Sequence, residues 1–364
     1  MFNEKRQSRD LTLRGNSISM KKMFSMSLVM LLAISVILAG CGNKNQGASN
    51  ANGGDTGGSA KTSNVQIGMV TDVGGVNDKS FNQSAWEALQ ATEKESGVKV
   101  KYLQSKSDQD YIPNLNQFVK GDFNLTWGIG FNLANAIGQV AKDNPSKNLA
   151  IIDSVVDAPN VKSVVFAENE GSFLVGVVAG KLTKTNKIGF VGGQDSPLIK
   201  RFEKGFEAGI KAVNPNAKLE VNYTGAFDKP DLGKAAAATI YNSGADIIFH
   251  AAGGSGTGVF NEALARKQQG QQVWVIGVDK DQSLEFGDDV TLTSMVKRVD
   301  EAVKRVSKEV IDGKFKGGVE TLALKDNGIG LADTSTKNVP KDVLDLVEQY
   351  KQKIIKGEIT VPSK

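Results

Sequence analysis

From Val65 onward, short apolar runs alternate with longer stretches whose apolar residues recur every three or four positions. The runs are Val65–Val70, Val98–Leu103, Leu125–Ile129, Leu149–Ile152, Val161–Phe166, Lys187–Val191, Leu219–Tyr223, Ile247–Ala251, Val273–Val278 and Thr291–Val296. Each is too short for a buried helix and is followed by polar or glycine-rich residues, which predicts strands. Between them Gln83–Glu95, Leu198–Val213 and Glu301–Val310 carry helical periodicity. Pro230 stands at the start of another helix, where its missing N–H costs little. Repeated strand–helix–strand units predict parallel sheets covered by helices on both faces, and so many strands predict two sheets rather than one. No sequence repeat relates the two halves.

The first 40 residues break this pattern. Met20-Lys21-Lys22 is basic, Met23–Ala39 is apolar and uncharged, and Leu38-Ala39-Gly40-Cys41 closes the segment. Such an order predicts a cleaved secretory signal over 1–40. Its ending resembles a bacterial lipobox, which implies lipid on Cys41, the chain's single cysteine. Two acyl chains there are enough for stable anchoring to a membrane. Residues 1–19 do not suit such a leader, which makes Met20 the candidate start. Residues 41–64 are rich in Gly, Asn and Ser and read as a flexible tether.

Charge changes the picture once the leader is set aside. The whole chain is +4. Without the six basic and two acidic residues of 1–40, it carries 38 of each. Nothing here favours nucleic acid as a partner.

In open α/β sheets ligands bind beyond the carboxyl ends of the strands. The residues at those ends are Asp72 in "TDVGGVNDKSFN", Asp153 in "AIIDS", "GGQDS" (192–196), "GAFDKP" (225–230), "AAGGSGTG" (251–258), "GVDKDQ" (277–282) and Lys297. "GGSGTG" lacks the Lys-Ser/Thr ending of a phosphate loop and the spacing of a dinucleotide fingerprint. His250, the single histidine, abuts an apolar strand and reads as a packed residue. One histidine and one cysteine leave no His/Cys metal site or Cys-His dyad, and no strand ends in a nucleophile elbow. The residues therefore argue against hydrolytic chemistry and suggest no cofactor or metal. Asp72, Asp153 and Asp279 each read as turn former or ligand acceptor. Phe81 reads equally as core. Phe227 lies in a loop, where burial is less natural, and a pair of such rings could stack on a flat ligand.

The segment "GMVTDVGGVNDKSFNQSAWEAL" resembles the signature of the basic membrane protein family, the purine nucleoside receptor type of bacterial substrate-binding lipoprotein. "WGIGF", "AENEGSFLVGVVAG", "IGFVGGQDSPLIKRFEKGFEAG", "YTGAFDKPDLGKAAA", "VIGVDKDQ" and "TSMVKRVD" extend the resemblance across most of 65–330. It implies a type I periplasmic-binding-protein fold, with two doubly wound parallel-sheet lobes joined by three crossings. With crossings near Ala167, Ser294 and Leu324, lobe 1 holds 65–166 and 295–323, and lobe 2 holds 167–294 and 324–364. The resemblance further implies a monomer that hands nucleosides to the permease and ATPase of an ABC importer. In that reading Phe81 and Phe227 sandwich the base, and Asp153 bonds its edge with help from Asn82. Asp279 and Lys297 hold the ribose, while Asp72 and the backbone of Gly253 and Gly254 complete the ring. Composition alone leaves a sugar receptor or a nucleoside-cleaving enzyme open.

Overall fold

The computed structural model describes residues 64–364. The leader, Cys41 and all but the last residue of the tether lie outside them. Twelve strands form two six-stranded sheets. The first sheet holds β1 (Gln66–Thr71), β2 (Lys99–Gln104), β3 (Leu125–Ile129), β4 (Leu149–Ile152), β5 (Val161–Phe166) and β11 (Gly318–Leu322), in the order β11-β5-β4-β3-β1-β2. The second holds β6 (Lys187–Gly192), β7 (Lys218–Tyr223), β8 (Ile247–Ala251), β9 (Trp274–Asp279), β10 (Thr291–Lys297) and β12 (Ile329–Leu331), in the order β12-β10-β9-β8-β6-β7. The two orders are the same. Every pairing is parallel except β10 with β12.

The central strands β1, β3, β4 and β8 are buried almost end to end, as strands with helices on both faces must be. The helices are α1 (Phe81–Ser96), α2 (Tyr111–Val119), α3 (Ala134–Asp143), α4 (Glu168–Leu182), α5 (Pro197–Val213), α6 (Pro230–Asn242), α7 (Gly256–Gln268), α8 (Ser283–Phe286), α9 (Val299–Ile311) and α10 (Lys341–Ile355). Ser196 caps α5, its hydroxyl accepting from Ile199 N–H, and Pro197 takes the first turn. Helix α4 is buried on nearly every side. Its approach to α5 is set by glycine. A Cβ on Gly205 would come within 2.2 Å of the Asn169 carbonyl oxygen, and one on Gly209 within 2.0 Å of that of Phe173.

Two features depart from the sequence reading. Strands β11 and β12 were not expected. The first is a half-exposed edge, "GVETL", and the second is three residues long, so neither has the apolar run that marks the others. The expected division at Ser294/Met295 is also corrected. Met295, Val296 and Lys297 pair with both β9 and β12 or with β12, which makes them part of the second sheet. The chain leaves that sheet at Arg298, and α9 then packs on the first lobe beside α1. There the buried Trp127 indole N–H donates to Ser307 Oγ at 3.3 Å. The other passages fall at Ala167, whose N–H bonds Leu322 O, and between Leu322 and Ile329.

Candidate ligand-binding site

The equal strand orders place the same structural position of each lobe at the cleft. Asp153 follows β4 and Asp279 ends β9, the fourth strand of each lobe in chain order. Both carboxylates sit on left-handed backbone, with φ of 72° and 65°. That conformation costs a non-glycine residue about 1 kcal/mol or more, and it collects at functional sites.

The loop after β1 builds the lobe 1 wall. Asp72 Oδ1 accepts from Gly74 N–H and from Asn82 Nδ2, both at 2.9 Å. Asp78 opens α1: its Oδ1 accepts from Ser80 and Gln83 N–H, and its Oδ2 from Asn82 N–H at 2.8 Å and Asn82 Nδ2 at 3.0 Å. Asn82 is thus gripped by its amide nitrogen, and its buried Oδ1 has no partner.

In lobe 2 the Phe227 loop rests on the glycine turn after β8. Ser255 N–H donates to Phe227 O at 3.0 Å, and Ser255 Oγ to Ala226 O at 2.9 Å. Gly193 leaves room for the Phe227 ring, which meets Phe131 edge to face with centroids 6.2 Å apart. The lobes touch directly. Ser80 Oγ donates to Asp279 Oδ2, and Gln282 Nε2 donates to Lys79 O at 2.9 Å.

Lys297 is buried between the lobes. Its ammonium lies 2.6 Å from Asp153 Oδ2 and 3.2 Å from Glu168 Oε1. Burial works against its charge, yet Asp153, Glu168 and Asp279 outweigh that and raise its pKa. The carboxyls respond the opposite way. Burial pushes Asp72 up to about 7 against the bonds from Asn82 and Gly74. It pushes Asp279 up to about 7 against Lys297 and Ser80, and Asp153 up to about 6 against Lys297. Asp78 is raised by the same cause despite its four N–H donors.

Together these groups line the space between the lobes. Asp72, Phe81, Asn82, Asp153, Phe227, Gly253, Asp279 and Lys297 all border it. Gly254 does not: it lies behind, close to Phe227 O and the Asp78 side chain. Sequence reasoning passed over Phe131, Phe202 and Glu168. Phe131 stands two residues past β3 in "WGIGF", so the strand-end rule could have found it. Phe202 follows Leu198 by one helical turn, and both border the cavity. Asp78 caps α1 and borders the cavity as well. His250 is fully buried: Nε2 lies 2.8 Å from Gln282 Oε1, and burial pulls its pKa down to about 4. It is a neutral packed group away from the wall. Among the described residues no His/Cys/Asp/Glu cluster has metal-ligand geometry, and no helix is long and apolar enough to cross a membrane.

Two doubly wound lobes meeting at an aromatic and carboxylate cavity define a small-molecule binding protein. Residues 65–364 match the model of the Bmp family, described as ABC transporter substrate-binding protein PnrA-like, and the chain belongs to that family. It is 47% identical over 361 residues to a CD4+ T-cell-stimulating antigen of Listeria innocua, covering 94% of this chain and 99% of that one. It is 44% identical, with the same coverage, to the ABC transporter nucleoside-binding protein BmpA of Lactococcus lactis. Among solved structures, an ABC transporter solute-binding protein of Aeropyrum pernix aligns with a TM-score of 0.76 at 29% identity, covering 82% of this chain and 94% of that one.

Proposed function

We propose that this substrate-binding protein captures nucleosides, purine nucleosides among them, in the interlobe cavity and delivers them to an ABC importer without altering them. In this reading lipid on Cys41 holds it at the extracytoplasmic face of the cell membrane. The observation that carries the proposal is the wall itself. Aromatic rings (Phe81, Phe131, Phe202, Phe227) face a set of carboxylates whose one bordering cation, Lys297, is already paired. A nucleoside is flat, uncharged and carries both ring N–H and ribose O–H donors, so it suits such a wall. Phe81 and Phe227 would stack on the base. Asp153 and Asn82, each with a buried unpartnered oxygen, would accept from it. Asp279 would take the ribose hydroxyls, with Lys297 close by. The 44% identical relative named as nucleoside-binding supports the same reading.

The test is equilibrium dialysis of the purified protein with radiolabelled adenosine, followed by chromatography of the bound fraction. Intact adenosine, displaced by guanosine or inosine and not by free sugars, is expected. Displacement by a sugar alone would favour a sugar receptor, and recovery of free adenine would favour a hydrolase.

A further inference from the structure

The surroundings of Lys297 hold more than a salt bridge. Glu168, the first residue of α4, is completely buried. One of its oxygens lies 3.2 Å from Lys297 Nζ, and the other accepts from Arg201 Nε at 2.8 Å. The rings of Phe81, Phe166 and Phe202 stand 5.2, 5.0 and 5.6 Å from the same ammonium. Arg201, Glu168, Lys297 and Asp153 therefore form a chain of alternating charge that runs from α5 in lobe 2, through the hinge, to the end of β4 in lobe 1. The close α4–α5 crossing, set by Gly205 and Gly209, is what brings Glu168 and Arg201 together.

A buried lysine beside a single carboxylate would be free to swing toward any other acceptor. Here Asp153 Oδ2 accepts its hydrogen bond, Glu168 Oε1 adds a charge contact at 3.2 Å that is not a hydrogen bond, and three rings enclose it. Asp153 Oδ1 remains buried without a partner. We infer that Glu168 is a positioning residue of the binding site: through Lys297 it holds the Asp153 carboxylate in place with one oxygen left for a ligand N–H or O–H. Lys297 is then mainly a fixed counter-ion rather than a free donor. This inference rests on the reading of the cavity as a ligand site.

The groups facing Asp153 are Lys297, Glu168 and Arg201, with Asp72 and Asp279 across the cavity. Glu168 raises the Asp153 pKa by repulsion, less than Lys297 lowers it. Glu168→Gln removes that repulsion and leaves Lys297 attached, so Asp153 should ionise at lower pH even as it loses its fixed position. The two effects have opposite signs, and a residue needed only for packing would not produce both.

The experiment is Glu168→Gln in the purified protein, read two ways. Adenosine affinity at pH 7.5 should fall about tenfold, the size of one charged hydrogen bond. The ¹³C carboxyl resonance of Asp153, assigned by its loss in Asp153→Asn, should titrate at lower pH than in the wild type. Affinity within twofold of wild type, or a midpoint unmoved or raised, would overturn the inference. If Glu168→Gln does not fold, the double variant Glu168→Gln/Arg201→Gln replaces both buried charges by amides. Arg201 acts on Asp153 more weakly than Glu168 does, so the same direction is expected. A wild-type protein that binds no nucleoside would sink the proposed function, and the ligand-free titration would still decide the link from Glu168 to Asp153.

Discussion

Gly193→Ala offers a way to disturb Phe227 without touching it. A Cβ at 193 would stand 2.2 Å from Phe227 Cε1 and 2.4 Å from Cδ1. Ordinary carbon contacts begin at about 3.5 Å, so the ring must move by about 1 Å or more. The backbone need not. Gly193 lies outside the left-handed region, so alanine is admissible there. Its N–H to Ala251 O and its carbonyl to Gly225 N–H are both main-chain bonds that survive. Alanine also lowers the entropy of the unfolded chain by about 0.4–1 kcal/mol, which offsets part of the strain. Stability should therefore change by no more than about 1 kcal/mol. Binding should suffer more. One base–aromatic contact contributes about 1–3 kcal/mol, so the dissociation constant for a purine nucleoside should rise about 5- to 150-fold. Titration calorimetry gives the affinity and thermal unfolding gives the stability. Phe227→Ala and the double variant complete a cycle. Because both changes act on one ring, the double variant should bind no more weakly than Phe227→Ala alone. Wild-type affinity in Gly193→Ala, or additive losses, would refute the placement of Phe227 against the ligand.

Three other outcomes follow from the same wall. Asp72 and Asp279 hold protons up to about pH 7 in the fold and have a reference pKa of 3.8. Between these values the native chain binds more protons than the unfolded one, so their contribution to stability is lost as pH rises, by up to about 1.4 kcal/mol per unit for each group. Thermal unfolding of the ligand-free protein between pH 5.5 and 8 should show this slope, and Asp72→Asn should flatten it. Asp78→Ala removes the acceptor of three backbone N–H groups and the anchor of Asn82. It should cost about 2–3 kcal/mol in urea unfolding and also weaken nucleoside binding, whereas a purely capping role would leave affinity intact. A nucleoside 5′-monophosphate brings negative charge to a wall of carboxylates whose lysine is already paired. Calorimetry should show it at least about 100-fold weaker than the nucleoside, and equal affinity would contradict the charge argument.

Much of the fold was legible because buried parallel strands are apolar along their whole length. Ten strands could be read from such runs. The edge strand "GVETL" and the short "IGL" could not, because a half-solvated or three-residue strand leaves no period to detect. The same gap moved the second crossing: the apolar run Thr291–Val296 reaches past Ser294, but with β12 unseen nothing tied its last residues to the second sheet. At the site, the strand-end rule singled out Asp72, Asp153 and Asp279, since a sheet's carboxyl edge is fixed once its strands are known. The left-handed backbone at Asp153 and Asp279 was not legible, because it depends on the turn each one makes. Glu168 was missed for another reason. An acid in the first turn of a helix is ordinary on dipole grounds, and its contacts with Lys297 and Arg201 arise only when distant parts of the chain meet.

The most direct test of the account is a crystal structure of the protein grown with inosine. The account predicts the purine ring against Phe81 and Phe227, a base N–H at Asp153 Oδ1 or Asn82 Oδ1, and the ribose hydroxyls at Asp279. A nucleoside bound elsewhere, or a cavity that excludes inosine and takes a sugar, would contradict it.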